Sequence, residues 1–423
     1  MQLKKSILIL GGAYTAMPLV KCAKERGLKV VLVHNVIKSP CAPFADVHEI
    51  VNTLDIQSCI NIANKYHVDA VATVGTDQPL YTATVIAENL GLPSFLDVNT
   101  AKAATNKKVM RDRFVRTGLP VNKCKYIAKN SDVSMLFDLT LPIVVKPIDS
   151  HGSRGVFKLH SYDEAVDVLD EVIKSSYSRE SEILVEEYYG ETELAIDGIV
   201  QDENYFYLGM RKRNNLVFDK KIGFCTSVIS PSPEYMDKIR EISEICQLVA
   251  NSLGVKDGPL FVQLLDGVKG YRINEAAARV ASGFGCIVNK AINGFDIVEA
   301  VIDGALGIRP TIDIQPFSKP MLYSSQIVIA KVGIVDAITP IAEILHMPYV
   351  FAAEYYCERG ETLCVNGEPF TTAAYVCITG SDYDELASNV SSFYDKFYIL
   401  NQYGKNVVIR GSIGQLSHED LKG

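Results

Sequence analysis

Residues 183–193, ILVEEYYGETE, predict a short apolar strand that is followed by an acidic turn containing a glycine. Where a strand leaves its sheet, its backbone N–H and C=O groups are open to a ligand. Glu186 and Glu193 add carboxylates that can accept hydrogen bonds from an amino group or from ribose hydroxyls. Taken alone, the stretch also fits an ordinary acidic turn, so both interpretations stay open at this point.

Upstream, the pattern predicts a strand at 143–147, a glycine-rich loop, and a second strand at 156–159. The loop reads DSHGSRG at 149–155, with Gly152 and Gly155 among small hydroxyl residues. Such a loop can close its backbone amides over phosphate groups. Lys146, just before it, supplies a compact positive charge. The alternative is a β-hairpin with a flexible tip.

Downstream, Gln263 is followed twelve residues later by Glu275, each on one strand of a predicted hairpin. Two facing strands can aim both oxygens at one point, as hard divalent cations demand. Arg279 comes four residues after Glu275, beside the turn Ser282-Gly283. A buried polar pair without a metal is the alternative here.

The chain begins with a βαβ pattern, with strands at 6–10 and 28–33 and a helix between them. A glycine turn, GGAYTAMP, follows the first strand and could bind an anion at a helix N-terminus. It lacks the full GxGxxG spacing, and His34-Asn35 replaces the acidic residue that would bind a nicotinamide ribose. NAD binding is therefore disfavoured against a tight turn in a parallel sheet. The initial apolar run stops at two glycines, too short for a signal peptide.

In this order, the four segments together resemble the ATP-grasp superfamily, and the likeness extends over most of the chain. The resemblance implies an α/β fold of four parts: an N-terminal parallel-sheet pre-ATP-grasp domain, a small α+β lid, a larger α+β ATP lobe and a small C-terminal domain. We expect limits of 1–97 for the first domain, 98–310 for the ATP-grasp domain with its lid at about 120–185, and 311–423 for the last.

The resemblance also implies a role for individual residues. Those implied to bind ATP are Lys107, Arg111, Lys146, Gly152, Gly155, Glu186, Glu187, Tyr188 and Glu193. Among them, Glu186 resembles the partner of the adenine amino group, Glu187 and Tyr188 the backbone adenine contacts, and Glu193 the ribose-binding carboxylate. Gln263 and Glu275 resemble the ligands of Mg²⁺, with Mn²⁺ as the alternative metal. Arg279 and Lys146 resemble the catalytic cations that face the transferred phosphate.

One position departs from the family pattern, Glu-x-Asn-x-Arg, because Ala277 stands where the asparagine is expected. An alanine cannot ligate a metal, and strict alternation along a strand predicts that Asn274 points to the opposite face from Glu275. We therefore expect a loosely held second magnesium, or altered activity. Replacing Ala277 by asparagine should tighten that metal if the family geometry applies.

Composition narrows the function classes. Hydrophobic residues make up 48% of the 423-residue chain, and the net charge is −8, without a dense basic run. Such a chain is a poor candidate for nucleic-acid binding, and no apolar stretch is long enough to span a bilayer. The ten cysteines form no CxxC pair, so we expect reduced thiols in a cytoplasmic protein.

The resemblance implies an ADP-forming carboxylate–amine ligase that works through an acyl phosphate, with a small carboxylate and an amine as substrates. No nucleic acid or membrane partner is expected, and a homodimer is one oligomeric state that it allows. Two alternatives remain: an enzyme that forms carboxyphosphate from bicarbonate, like biotin carboxylase or carbamoyl phosphate synthetase, and a nucleotide-binding scaffold with little catalysis.

Overall fold

The computed structural model describes residues 4–128, 131–150, 154–176, 182–190, 192–218, 220–316, 321–363 and 370–416. The predicted Gly152 lies outside these ranges. Within them, no helix combines the length and the apolar character that crossing a bilayer needs.

The first domain is a parallel four-stranded sheet flanked by helices. Its strands are β1 (Ser6–Leu10), β2 (Lys29–Val33), β3 (Val47–Glu49) and β4 (Ala70–Ala72), and its helices are α1 (Met17–Glu25), α2 (Ile56–Tyr66) and α3 (Gln78–Leu90). The strand order is β3-β2-β1-β4. Because all strands are parallel, the loops after β1 and β4 emerge at the same edge of the sheet, which is where ligands bind in open α/β sheets.

Two helices, α4 (Val98–Thr105) and α5 (Lys107–Arg116), connect this domain to the lid. From the sequence we expect a single basic helix over 99–117, and this expectation is wrong. Asn106 has an extended backbone, and its side chain accepts a hydrogen bond from the amide of Val109. It therefore caps a new helix and turns the basic residues of α5 toward the lid.

The lid is a four-stranded antiparallel sheet covered by one helix. It contains β5 (Cys124–Ala128), β6 (Ile143–Pro147), β7 (Phe157–Leu159) and β8 (Glu182–Glu187), with α6 (Asp163–Lys174). The apolar face of α6 packs on β6 and β8 through Ala165, Leu169 and Val172, all of which are buried.

The larger lobe is built on β9 (Thr192–Gln201), β10 (Asn204–Phe218), β11 (Lys221–Ser230), β12 (Gly258–Gly267) and β13 (Gly270–Ala277), with α7 (Ile239–Leu253), α8 (Gly285–Asn293) and α9 (Ile297–Ala305). The strand order is β13-β12-β9-β10-β11. One face of this sheet carries the apolar residues that pack on α7. The other face is consequently open to the lid and carries the polar side chains described below.

The C-terminal domain contains β14 (Leu322–Lys331), β15 (Gly333–Ile338), β16 (Val350–Tyr355), β17 (Thr362–Leu363), β18 (Phe370–Gly380), β19 (Ile399–Asn401) and β20 (Val408–Ile409), with α10 (Ile341–Leu345) and α11 (Tyr383–Lys396). β14 pairs with β11 of the lobe, so the two parts share one continuous sheet. The architecture confirms the predicted α/β class, with a parallel N-terminal sheet followed by antiparallel ones.

Candidate functional site

The hairpin of β12 and β13 brings the two predicted metal ligands together. Gln263 lies directly opposite Glu275 in the antiparallel register. Side chains of directly opposed residues project from the same face of a sheet, and both residues border the cleft between the lobe and the lid. The spacing in the sequence therefore predicted their proximity correctly, while their role as ligands stays a prediction.

A β-bulge follows immediately on β13. The pair Gln263–Glu275 is succeeded by the pair Leu264–Ile273, which leaves Asn274 without a residue opposite it. A bulge breaks the alternation of side chains, so Asn274 borders the same cleft as Glu275. Our expectation that Asn274 points to the opposite face is wrong for this reason.

Ala277, where the family pattern has asparagine, lies in an apolar environment. It is 4% exposed and packs with Ala195, Phe261 and Ala281. The guanidinium carbons of Arg211 and Arg279 lie 5.8 and 5.4 Å from the centroid of the Phe261 ring. Ala277 therefore belongs to the packing that supports two arginines and lies among apolar groups.

A buried charge network lies behind the wall of the cleft. The Glu186 carboxylate, 2% exposed, is ion-paired with both Lys146 and Arg111, whose Nη2 lies 2.7 Å from it. Burial opposes ionisation of Glu186, but the charges of Lys146 and Arg111 outweigh it and lower its pKa. Arg111 also donates to the backbone carbonyls of Ile273 and Asn274, at 3.1 Å each. Arg111 thus joins α5, β8 and the bulge, and it does not line the main cleft.

Lys107 connects the start of α5 to the predicted metal ligand. Its Nζ lies 3.2 Å from Glu275 Oε2 and donates to the carbonyl of Ser150 at 2.6 Å. Burial would raise the pKa of Glu275, but the charges of Lys107 and Lys146 outweigh this and hold it at about 2. The Glu275 carboxylate is therefore ionised at neutral pH.

The cleft between the lid and the lobe has a volume of about 200 Å³. Of the predicted site residues, those that line it are Lys107, Lys146, Glu186, Glu187, Tyr188, Glu193, Gln263 and Glu275. Further lining cations that we did not predict are Arg154, Lys158 and Arg213. A cleft bordered by several cations in a protein of net charge −8 concentrates positive charge where a polyphosphate could bind.

Glu193, predicted as the ribose carboxylate, is fixed by two residues of β10. Asn215 Nδ2 donates to Glu193 Oε2 at 2.9 Å, and Arg213 Nε lies 3.3 Å from the same oxygen. From the sequence we expect a strand at 204–210, so neither Arg213 nor Asn215 was predicted as part of the site. The signal was present, since Arg211, Arg213 and Asn215 alternate as one face of a strand requires.

The predicted backbone adenine contacts are already engaged in the sheet. The amide of Glu187 donates to the carbonyl of Lys123 at 3.0 Å, and that of Tyr188 to Pro142 at 2.9 Å. Lys158 Nζ lies 3.6 Å from the centroid of the Tyr188 ring. Both residues border the cleft, and their contact with adenine stays a prediction.

Gly155 ends the glycine-rich loop in a left-handed conformation, with φ +69°. A Cβ atom there would lie 2.7 Å from Cβ of Ser175, so glycine is required by both backbone and packing. Gly155 does not line the cleft, whereas Ser150 and Arg154 on either side of the loop do.

Arg279 is bound to the first domain. Its Nε donates to Asp77 Oδ1 at 2.6 Å, and Asp77 follows β4. The next residue of the lobe, Val280, accepts a hydrogen bond from the amide of Gly75 at 3.0 Å. Arg279 borders a second, largely apolar pocket of about 60 Å³ and does not line the larger cleft. Its role in catalysis stays a prediction.

The polar atoms that line the cleft without a partner indicate whether a nucleotide and a metal fit there. Asn122 Oδ1, Ser150 Oγ and Asn215 Oδ1 are buried and have no hydrogen-bond partner among the described residues, and all three residues line the cleft. Within the same ranges, no three His, Cys, Asp or Glu side chains are grouped so as to hold a metal ion. The available oxygens come from Glu275, Gln263 and Asn274, which suits a cation bound mainly through phosphates.

Comparison with known proteins identifies an ATP-grasp domain over residues 139–287. The chain is 27% identical over 191 residues to phosphoribosylamine–glycine ligase of Thermococcus gammatolerans, covering 43% of this chain and 42% of that protein. It is 24% identical over 187 residues to the formate-dependent phosphoribosylglycinamide formyltransferase of Erythrobacter litoralis, covering 43% and 47%. The match thus spans less than half the length of these curated relatives.

Solved structures share the fold over nearly the whole chain. The crystal structure of an L-amino acid ligase from Bacillus licheniformis superimposes with a TM-score of 0.80 at 18% identity, covering 95% of this chain and 100% of that one. Phosphoribosylglycinamide synthetase from Anaerococcus prevotii gives a TM-score of 0.72 at 15% identity, covering 94% and 100%. These likenesses establish a common fold.

Proposed function

Because the chain belongs to the ATP-grasp superfamily, we propose that it is an ADP-forming ligase that joins a carboxylate to an amine through an acyl phosphate. The observation that carries the proposal is the convergence of Lys107, Lys146, Gln263 and Glu275 from four separate elements on one cleft. Two of the similar curated proteins are named as ligases, phosphoribosylamine–glycine ligase and D-alanine–D-alanine ligase of Flavobacterium psychrophilum, which is 26% identical over 157 residues.

ATP would lie in the cleft between lid and lobe. Lys146 and Lys107 would face its phosphates, and Lys158 and Arg154 of the lid would add positive charge to the same cleft. Glu193, held by Arg213 and Asn215, would accept from the ribose hydroxyls. Each of these contacts is charge-assisted, the kind that contributes most to binding.

Magnesium would be held by Glu275 and Gln263, whose oxygens share one face of the hairpin. When bound, it would supply positive charge that stabilises the transferred phosphoryl group. Glu275 is suited to this role because it is ionised and faces the cleft. Lys107 is paired with Glu275 in this structure. Binding of the metal to Glu275 would free Lys107 to contact the phosphates.

In the first half-reaction, an oxygen of the substrate carboxylate would attack the γ-phosphorus, and the bond to the β-phosphate oxygen would break to give ADP. In the second, the amine, after losing its ammonium proton, would attack the acyl carbon; inorganic phosphate would leave, and the nitrogen would lose a further proton as the amide forms. The protein contributes positioning and electrostatic stabilisation. Lys146 is held by Glu186 and Asn274, and a lid over the cleft would exclude water from the acyl phosphate.

The test is an ADP-release assay with the twenty L-amino acids and a set of small carboxylic acids, run with hydroxylamine present. Hydroxylamine converts an acyl phosphate to a hydroxamate, so we expect hydroxamate and ADP in equal amounts with at least one acid. ADP that appears only with bicarbonate would favour the carboxyphosphate alternative. No ADP under any of these conditions would contradict the proposed function.

A further inference from the structure

A second group of polar and aromatic side chains lies between the first domain and the C-terminal domain. Glu354 on β16 is directly opposite Tyr375 on β18. Tyr356 continues the same strand, and its amide donates to the carbonyl of Ala373 at 2.8 Å. By alternation, Glu354, Tyr356 and Tyr375 project from the same face.

A tyrosine of the first domain completes this group. Tyr14, in the glycine turn after β1, stacks on Tyr356 with ring centroids 4.5 Å apart, and Tyr356 lies 5.3 Å from Tyr375. Tyr375 reaches the turn after Arg279, since a Cβ at Gly283 would lie 3.3 Å from its ring. We call Tyr14, Tyr356, Tyr375 and Glu354 the tyrosine–glutamate site.

Tyr375 also connects this site to the arginines of the lobe. Burial raises the pKa of its hydroxyl, while the charges of Arg213 and Arg211 oppose that rise and Glu354 adds to it. Its ring is therefore within electrostatic reach of Glu354 and of both arginines. None of its four residues lines the nucleotide cleft; Tyr375 packs edge-on against Phe284, with 6.0 Å between the ring centroids, in the segment that follows Arg279.

The carboxylate in this site is in direct contact with no cation among the described residues. Among the described residues, no hydrogen bond or ion pair reaches Glu354, which is half-buried. Removing a carboxylate from water without a partner is costly. Burial raises its pKa to about 7, and the charge of Lys21 lowers it only in part. A carboxylate beside aromatic rings and hydroxyl oxygens has the chemistry that recognises an ammonium group.

Resting on the proposed function, we propose that the tyrosine–glutamate site binds the ammonium group of the amine substrate. The charge of Glu354 excludes a carboxylate or phosphate from this place. The first half-reaction involves ATP and the other substrate, and it needs no contact with Glu354. The site thus separates recognition of the amine from formation of the acyl phosphate.

The experiment compares two nucleophiles in wild type and in Glu354→Gln. The amines are the twenty L-amino acids, which carry an ammonium group at neutral pH; hydroxylamine is uncharged there and does not need a counter-ion. In Glu354→Gln we expect the KM for the best amino acid to rise roughly tenfold or more, as for loss of a charge-assisted contact. The KM for ATP and the rate of hydroxamate formation should change far less.

Three further variants complete the experiment. Glu358→Gln removes an exposed carboxylate from the same end of the domain, beside Lys38, and should leave the KM for the amino acid unchanged. Tyr14→Leu removes one ring and should raise the KM for the amino acid. Tyr14→Phe keeps the ring and should raise this KM less. If the tyrosine variants raise the KM for the amino acid as Glu354→Gln does, a folding defect in one variant does not explain the result.

The outcomes distinguish this inference from the function on which it rests. Wild-type hydroxamate formation, together with an unchanged KM for the amino acid in Glu354→Gln, would overturn the amine site alone. An equal loss of amide and hydroxamate in Glu354→Gln would also overturn it. Absence of both products from the wild-type protein would overturn the proposed function and the amine site with it.

Discussion

Asn274 accepts a hydrogen bond from the lysine of the lid, with 3.1 Å between Asn274 Oδ1 and Lys146 Nζ. The contact exists because the bulge on β13 turns Asn274 into the cleft. Lys146 is therefore held between a carboxylate, Glu186, and a neutral amide. We infer that Asn274 positions Lys146 toward the phosphates.

Replacing Asn274 by alanine removes this acceptor and should weaken ATP binding. One neutral-to-charged hydrogen bond contributes about 1.5–3 kcal/mol at most, so we expect the Kd for ATP to rise by roughly fivefold or more. Calorimetry with a non-hydrolysable ATP analogue measures it. Asn251→Ala, on the opposite side of the lobe in α7, is the matched control. Equal affinity in both variants would argue that Lys146 is positioned by Glu186 alone.

Lys146→Ala removes the charge itself and should have a larger effect than Asn274→Ala. The lost contact with the phosphates should cost about 1.5–3 kcal/mol of binding free energy. Glu186 would keep Arg111 as its partner, so the fold should survive. The same calorimetric titration applies, with circular dichroism to confirm folding. An ATP affinity equal to that of wild type would remove Lys146 from the site.

Glu275→Gln tests the metal. Glu275 is the one carboxylate of the Gln263–Glu275 pair, and its removal should raise the Mg²⁺ concentration that half-saturates ADP formation. Because the pKa of Glu275 is held at about 2, its ionisation should not limit Mg²⁺ binding between about pH 5 and 8 in wild type. Mn²⁺ binding followed by electron paramagnetic resonance gives a readout independent of activity. Identical titrations in wild type and variant would exclude Glu275 as a ligand.

Ala277→Asn separates the family pattern from this structure. The pattern predicts tighter binding of a second metal, but Ala277 is packed against Phe261 and Ala281. Burying an unpaired amide there costs about 1–3 kcal/mol, so we expect lower stability and an unchanged Mg²⁺ titration. Urea denaturation measures the stability of the variant, and Mn²⁺ binding measures its affinity for the metal. A gain in metal affinity would mean that the end of β13 can rearrange to present residue 277 to the cleft.

Glu354→Gln should also change the pH dependence of stability. The pKa of Glu354 is raised from an ordinary 4.5 to about 7 in the folded protein, so wild-type stability is lost as pH rises from about 4.5 to about 7. The groups that face this carboxylate are Lys21, Cys41, Tyr14, Tyr356 and Tyr375.

The variant should accordingly be as stable as wild type near pH 4.5 and more stable, by about 1–3 kcal/mol, at pH 8. Urea denaturation at both pH values checks this. If the variant were more stable than wild type by the same amount at pH 4.5 and at pH 8, the Glu354 carboxylate would be ionised at both pH values.

The sequence predicted those parts of the site that depend on local pattern. The strand at Ile143–Pro147 and the register of Gln263 with Glu275 follow from apolar runs and from alternation. The bulge at Asn274 could not be read in this way, because alternation assumes a regular strand and the hydrogen bonds from Arg111 to the carbonyls of Ile273 and Asn274 come from a helix far away in the sequence.

Other misses have local causes. Arg213 and Asn215 lie beyond the strand that the pattern predicts at 204–210, whereas the strand continues to Phe218. The break between α4 and α5 was missed because Asn106 is compatible with a helix interior, although it favours an N-cap. The contact of Arg279 with Asp77 joins two domains, and no spacing within either segment indicates it.

The pairing of β11 with β14 has a consequence for how far the chain can be shortened. Ser227–Ser230 form a ladder with residues 323–326 of the C-terminal domain, and Ile229 is buried there. A chain ending near residue 310 would keep every residue that lines the cleft except Gln415, yet it would leave this ladder without its partner. An unpaired strand edge recruits strands from other molecules, so such a protein should aggregate even though its nucleotide site is nearly complete.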